Sequence, residues 1–410
     1  MKLIKNVIIL LVMALPLWAW GQDLEDYQKI AAENNPGLQG RYKEFKAALE
    51  KVPQVSSLPD PTLSFGYFIS PVETRVGPQQ AKFSLSQMFP WFGTLEAQGN
   101  AAALMAQAKY QSFIDARNKL YYHVADAYYP LYELDEQLRL QRENLEILES
   151  FMTLAQSKYE NNQSSMVDVL RVDIMIKDAR TNIDILEDKR QPLLTRFNNQ
   201  LNRDASETVS IVDTINVSPL PDGYRRDSLL INHPLLEELS LKEEAMKEQE
   251  KAAIRKGLPS FGLGLDYVLV GERTDMDFAD NGQDVVMPML TMSLPIFRGK
   301  YKAAKEEARI MQEAYRDMRQ EMVNNLGSAY EMVWFEMEKQ RQNLDLYREQ
   351  IDETGQALNL LFTSYSNNGN DFEEVLRMQQ QLLKYQMMQA TSLSEYKIAE
   401  AKLNYITSKN

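Results

Sequence analysis

The sequence has no cysteine, and only two histidines, His123 and His233, among 410 residues. Without thiols there is no disulfide, no thiolate nucleophile, no zinc–thiolate or iron–sulfur site, and no lipid anchor built on a cysteine. The two histidines are far apart and neither has the spacing of a catalytic or metal motif. Positive charge is also in short supply, with 45 Lys and Arg against 58 Asp and Glu and a net charge of −13. Phosphate neutralisation needs clustered basic residues, so nucleic acid is not an expected partner. After Gln22 there is no apolar run of the roughly 20 residues that a membrane-spanning helix needs.

The one strongly apolar stretch lies at the start. Lys2 and Lys5 precede Val7–Leu17, and Ala19-Trp20-Gly21 offers a small-x-small cleavage site, so residues 1–21 read as a secretory signal. An exported chain without a spanning helix is either soluble outside the cytoplasm or a β-barrel in an outer membrane.

The remainder reads as one pattern written twice, over 22–215 and 216–410. Asn35-Pro36 recurs as His233-Pro234, Leu58-Pro59 as Leu258-Pro259, and Phe89-Pro90-Trp91-Phe92-Gly93 as Leu294-Pro295-Ile296-Phe297-Arg298-Gly299. Tyr159-Glu160-Asn161-Asn162 and Val169-Leu170-Arg171 recur as Tyr365-Ser366-Asn367-Asn368 and Val375-Leu376-Arg377, both at an offset of 206. Each copy carries a helical pattern of about 67 residues, Thr94–Glu160 and Lys300–Ser366. At 1.5 Å per residue each would extend about 100 Å, more than a compact domain needs.

Toward their ends these helices carry 3-4 spaced seams, Leu138, Gln141, Leu145, Leu148, Met152, Ala155 and Tyr159, then Leu344, Tyr347, Ile351, Thr354, Leu358, Leu361 and Tyr365. Shorter return helices carry matching seams from Val169 and Val375. Antiparallel hairpins are therefore expected, with tips near 161–164 and 367–370. Asn161-Asn162 and Asn367-Asn368-Gly369 suit a tight turn, because Asn and Gly tolerate left-handed backbone. Ser165 with Asp168, and Asp371 with Glu374, have capping-box spacing. Pro130 falls inside the first long helix, where it should kink the chain.

Between the short and long helices of each copy the period switches from 3.6 to 2. Strands are expected near 62–70, 81–89, 260–270 and 286–296, with Leu63, Phe65, Tyr67, Phe83, Leu85, Leu263, Leu265, Leu290 and Met292 on the bulky face. The other face is largely small or polar, though it includes Phe68, Met88, Val268 and Met289. A half-buried strand of a soluble sheet would show this alternation, and so would a membrane strand of roughly 9–11 residues. Four strands cannot close a membrane barrel, so the membrane reading requires several copies of the chain.

The Leu24–Tyr27 start leading to Ala32-Glu33-Asn34-Asn35-Pro36, Leu58-Pro59-Asp60-Pro61, Gln87–Gly93 and the paired hairpin words resemble the TolC-like outer membrane efflux protein family over nearly all of the mature chain. The resemblance implies a mainly α fold with a small transmembrane β portion: long antiparallel coiled-coil hairpins forming an α-barrel, plus four strands per chain in a trimeric 12-stranded β-barrel. It further implies a passive exit duct in the outer membrane, with outer-membrane lipid around the barrel and the helical tunnel in the periplasm. Its partners would be a periplasmic adaptor (membrane fusion) protein at the hairpin tips and, through it, an inner-membrane pump. Such a protein is not an enzyme and needs no cofactor or metal.

By the same resemblance, the periplasmic gate falls on Glu374 and Arg377, with Asp371 and Glu373 close by. Arg377 departs from the family's acidic pattern. The adaptor-docking tips fall on Asn161, Asn162, Asn367, Asn368 and Gly369, where many members have glycine at the positions of Asn162 and Asn368. The strand-to-helix elbows fall on Pro90, Trp91, Phe92, Gly93, Pro295, Phe297 and Gly299. The alternative reading is a soluble periplasmic coiled-coil adaptor or scaffold, which would account for the helices but not for the strands. The acidic run Asp275–Gly282 lacks an oxygen ligand at Ala279 and reads as a solvated loop, and the 20 methionines read as core filler.

Overall fold

The computed structural model describes residues 23–211, 215, 217, 232–275, 279–367 and 372–409. The signal reading at 1–21 lies outside these, as do Asn368, Gly369 and Asp371. In chain order the elements are α1 (Leu24–Asn34), α2 (Pro36–Leu49), α3 (Lys51–Ser56), β1 (Thr62–Thr74), β2 (Gly77–Phe89), α4 (Thr94–Glu160) and α5 (Met166–Leu201). Then follow α6 (Pro234–Lys256), β3 (Ser260–Val270), β4 (Val285–Ser293), α7 (Gly299–Ser366) and α8 (Phe372–Thr407). The second half repeats the order helix, two strands, long helix, return helix.

The described residues form two compact units, each drawing on both halves of the sequence, within the bounds 40–115 with 234–324, and 1–39 with 116–233 and 325–410. The first contains the sheet. Its strands lie in the order β1-β2-β3-β4, each antiparallel to its neighbour. β1 and β2 run 13 residues each, longer than the alternation suggested, because their ladder continues to Thr74↔Gly77 at a tight turn. β4 stops at Ser293, short of 296: Ser293 pairs with Ser260, the first residue of β3, so Leu294 onward has no ladder partner, and Pro295 has no N–H to offer one.

The second unit holds the hairpins. α4 continues through Pro130 and α5 through Pro192 as single helices. The Ser165 side chain caps α5 by accepting from Val167 N at 3.1 Å. At the tips all four long helices share one apolar core, in which Leu148, Phe151, Ala155, Val169, Val172, Ile176, Tyr365, Phe372, Val375 and Leu376 are buried. One seam position departs from the expected pattern. Tyr159 is 45% exposed, whereas its counterpart Tyr365 is 2% exposed. Lys158 is the residue buried at the end of α4, with its Nζ 4.1 Å from the Tyr365 ring centroid and hydrogen-bonded to the Tyr365 carbonyl.

Candidate functional site: sheet, elbows and hairpin tips

Register decides what the sheet can do. One cross-strand row is Phe65↔Phe83↔Tyr267↔Val286, and the next is Leu63↔Leu85↔Leu265↔Pro288. The bulky sets of all four strands therefore fall on one face. This face is uncovered, with Ile69 92% and Leu290 76% exposed. A water-soluble monomer seldom exposes so extended an apolar surface. The opposite face carries Ser64, Ser84, Asp266 and Met287 in one row, and the Lys82 ammonium pairs with the covered Asp266 carboxylate. An apolar outer and polar inner face is what a membrane-barrel strand requires.

The elbows join this sheet to the long helices. Gly93 takes a left-handed φ of +74°, which lets the chain turn from β2 into α4, and the Arg255 guanidinium donates to its carbonyl at 2.5 Å. A Cβ at residue 93 would lie 2.5 Å from that guanidinium. Trp91 packs on Phe261 at 6.0 Å between ring centroids, while Phe92 is exposed. In the second copy Pro295 and Phe297 lie in the connection, and Phe297 is exposed like Phe92. Gly299 differs from Gly93: it is the first residue of α7 and has no positive φ.

At the first tip Asn162 is left-handed at φ 54°, and Asn161 Nδ2 caps the Ser157 carbonyl at 2.8 Å. Asn367 follows the end of α7, its N–H bonded to the Thr363 and Ser364 carbonyls at 3.2 Å each. Among the described residues, the two acidic gate candidates are both ion-paired. Glu374 pairs with Arg377, and Glu373 reaches across to Arg171 of the first hairpin at 2.8 Å. Arg171 also lies 3.7 Å from Asp168. Each return helix thus begins with an acid three residues before an arginine, Asp168–Arg171 and Glu374–Arg377. Sequence reading missed Lys158, Phe372 and the Arg171–Glu373 link; only the repeat of the arginines at the 206 offset hinted at the last.

Both histidines are shifted toward the neutral imidazole. His233 is buried beside Tyr405, and burial pushes its imidazole down to about 4. Burial and the Lys119 charge also lower His123. Among the described residues no cluster of three or more His, Asp or Glu could hold a metal ion, and no helix is long and apolar enough to cross a membrane.

The sequence profile described as outer membrane efflux protein matches residues 28–196 and 226–408, one segment in each half. Among solved structures, the chain is similar to the CusC channel, with 15% identity, a TM-score of 0.79 and coverage of 95% of this chain and 92% of that one. VceC of Vibrio cholerae gives 16% identity, a TM-score of 0.73 and coverage of 94% and 95%. The open state of MtrE of Neisseria gonorrhoeae gives 17%, 0.74, and 94% and 88%. No curated protein matches the chain by sequence. With a profile match across most of both halves and a sheet built for lipid on one face, the chain belongs to the outer membrane efflux protein family and is a TolC-like outer membrane channel, a transport protein and not an enzyme.

Proposed function

We propose that this chain forms, as a homotrimer, the passive exit duct of a tripartite efflux or secretion system, docking a periplasmic adaptor at its hairpin tips. The observation that carries the reading is the four-stranded sheet, apolar on one face and open at β1 and β4. Unpaired strand edges cannot persist in hydrocarbon, so β4 of one protomer must pair with β1 of the next until the ring closes. Channels of this family form trimers within efflux systems, and three chains supply twelve strands. The duplicated halves 22–215 and 216–410 would each give two strands and one hairpin to this wall.

The helices support the same assembly. α5 leaves Val167, Leu170, Ile174 and Ile185 exposed, and α7 leaves Met332, Leu346 and Leu360 exposed at two-heptad spacing. Two different unpartnered faces on one chain suit a head-to-tail interface, which closes into a ring. The tip words Asn161, Asn162, Asn367, Asn368 and Gly369 are the proposed adaptor contact. Glu373, Glu374, Arg377 and Asp371 are the proposed gate, with arginine partners that make its described part close to neutral.

The test is fractionation followed by electrophysiology. Protein extracted from outer membranes should run as a trimer and give single-channel conductance in planar bilayers. Recovery of the folded chain as a monomer in the soluble periplasm would overturn the proposal.

A further inference from the structure

The apolar row of β4 does not end with its ladder. Beyond Leu290 and Met292 come Leu294, Ile296 and Phe297, all exposed, the last two at 77% and 87%. Arg298, Lys300 and Lys302 follow at once and are exposed as well. Residues 294–302 thus hold three cations and no acid, in a chain whose net charge is −13. Among the described residues none of the three pairs with a carboxylate, and Lys300 Nζ lies over the Tyr301 ring, 4.9 Å from its centroid. Further along the same helix Arg309, Arg316, Lys339, Arg341 and Arg348 each have a carboxylate partner. Helix stability does not account for the unpaired cations, because positive charge in a first turn opposes the helix dipole.

The first elbow supplies the contrast. At the 206 offset Gly93, Thr94 and Glu96 stand where Gly299, Lys300 and Lys302 stand, and Arg298 is an extra residue between Phe297 and Gly299. Thr94 is buried, and Glu96 is the one charged residue of 89–96. Both elbows expose a phenylalanine, Phe92 and Phe297, so the apolar contact is common to the two and the positive charge belongs to one. α6 ends against the charged elbow: a Cβ at Gly257 would lie 3.5 Å from the Tyr301 Cβ, which places the exposed Lys256 beside it too.

We propose that the second elbow is a binding surface for an anionic phospholipid of the periplasmic leaflet, its phosphate held by Arg298, Lys300 and Lys302 and its acyl chains laid against Leu294, Ile296 and Phe297. The elbows lie at the end of the sheet opposite the Thr74↔Gly77 turn and lead into the long helices, so this end meets the periplasmic side of the membrane. The inference rests on the channel reading and goes beyond it. Continuity with the lipid-facing row puts the exposed apolar side chains in hydrocarbon, and the cations five to nine residues beyond Ser293 then fall at headgroup depth. A guanidinium can grip a phosphate with two parallel hydrogen bonds, while lysines lay their stems on apolar surface and keep the ammonium in the polar layer. In a closed ring Asp60, just before β1 of the next copy, arrives near this elbow. One carboxylate against three cations leaves the surface positive.

Native mass spectrometry of the detergent-extracted full chain, mixed with equal amounts of phosphatidylglycerol and phosphatidylcholine, reads the lipid retained. Wild type should keep phosphatidylglycerol in several-fold excess. Arg298→Gln with Lys300→Gln and Lys302→Gln should lower phosphatidylglycerol retention about tenfold and leave phosphatidylcholine unchanged. Lys177→Gln with Lys189→Gln, on α5 and away from the membrane, should match wild type. Glu96→Lys, which changes the first elbow alone, should raise phosphatidylglycerol retention, and it tests the same charge rule without altering the second elbow. Equal retention of the two lipids by wild type, an unchanged preference in the triple variant, or no gain in Glu96→Lys would each overturn the proposal. So would full displacement by inorganic phosphate at the lipid's concentration, which would mean an anion site without acyl contact. A wild-type chain recovered folded without detergent would overturn the channel reading itself.

Discussion

Tyr159 and Tyr365 occupy equivalent positions in the two halves, yet the structure gives them unequal weight. Tyr365 is 2% exposed, stacks on Phe372 at 4.4 Å between centroids and carries the Lys158 ammonium over its ring; Tyr159 is 45% exposed. The extra buried area is about 90 Å² at an aromatic side chain of about 200 Å², or about 2 kcal/mol at 25 cal/mol per Å². Loss of the ring stack and the cation–π contact adds about 1 kcal/mol, so Tyr365→Ala should cost about 3 kcal/mol more than Tyr159→Ala. Local stability of this kind is read by hydrogen exchange, in which 1.4 kcal/mol is about tenfold in the opening equilibrium. Amides in peptides covering 356–367 and 372–380 should therefore exchange about a hundredfold faster in Tyr365→Ala than in Tyr159→Ala. Equal acceleration by the two substitutions would refute the assignment of the tip core to one member of the repeated pair.

Three further outcomes are expected. The His233 imidazole, depressed to about 4 by burial, binds its proton later than in the unfolded chain; stability should thus be full above about pH 6.5 and decline by about 3 kcal/mol as pH falls to about 4. Comparing thermal midpoints of wild type and His233→Gln at pH 7 and pH 4.5 checks this, and the wild type should show the larger drop. On the sheet, Leu265→Lys places a charge on the apolar face at a cost of about 2–4 kcal/mol and should reduce trimer yield in outer membranes, whereas Ser86→Lys on the polar face should not; gel analysis of unheated membranes separates them. Reversing Asp371, Glu373 and Glu374 together removes the Arg171–Glu373 and Arg377–Glu374 pairs, and should raise single-channel conductance and shift ion selectivity toward anions.

The sequence by itself determined the elements, because helix and strand periods are local. A 3-4 spacing or a strict alternation constrains residues within a turn or two, and the lengths of α4 and α7 followed directly from it. It also determined the duplication, the elbow words and the left-handed turn at Asn162, where residue type and backbone region are coupled at one position. Tertiary structure alone decided the rest, because it depends on groups brought together from opposite halves of the chain. The bulky sets of four strands make one face only through the register that places Phe83 beside both Phe65 and Tyr267. Which tyrosine of the repeated pair is buried depends on Lys158 and Phe372 arriving beside it. Gln141, which falls within the expected seam of α4, and Asn144 are buried polar contacts because Met387 and Gln379 come to face them. Glu373, an acid of the expected gate, is paired because Arg171 arrives from the other hairpin, across a separation that no local period records.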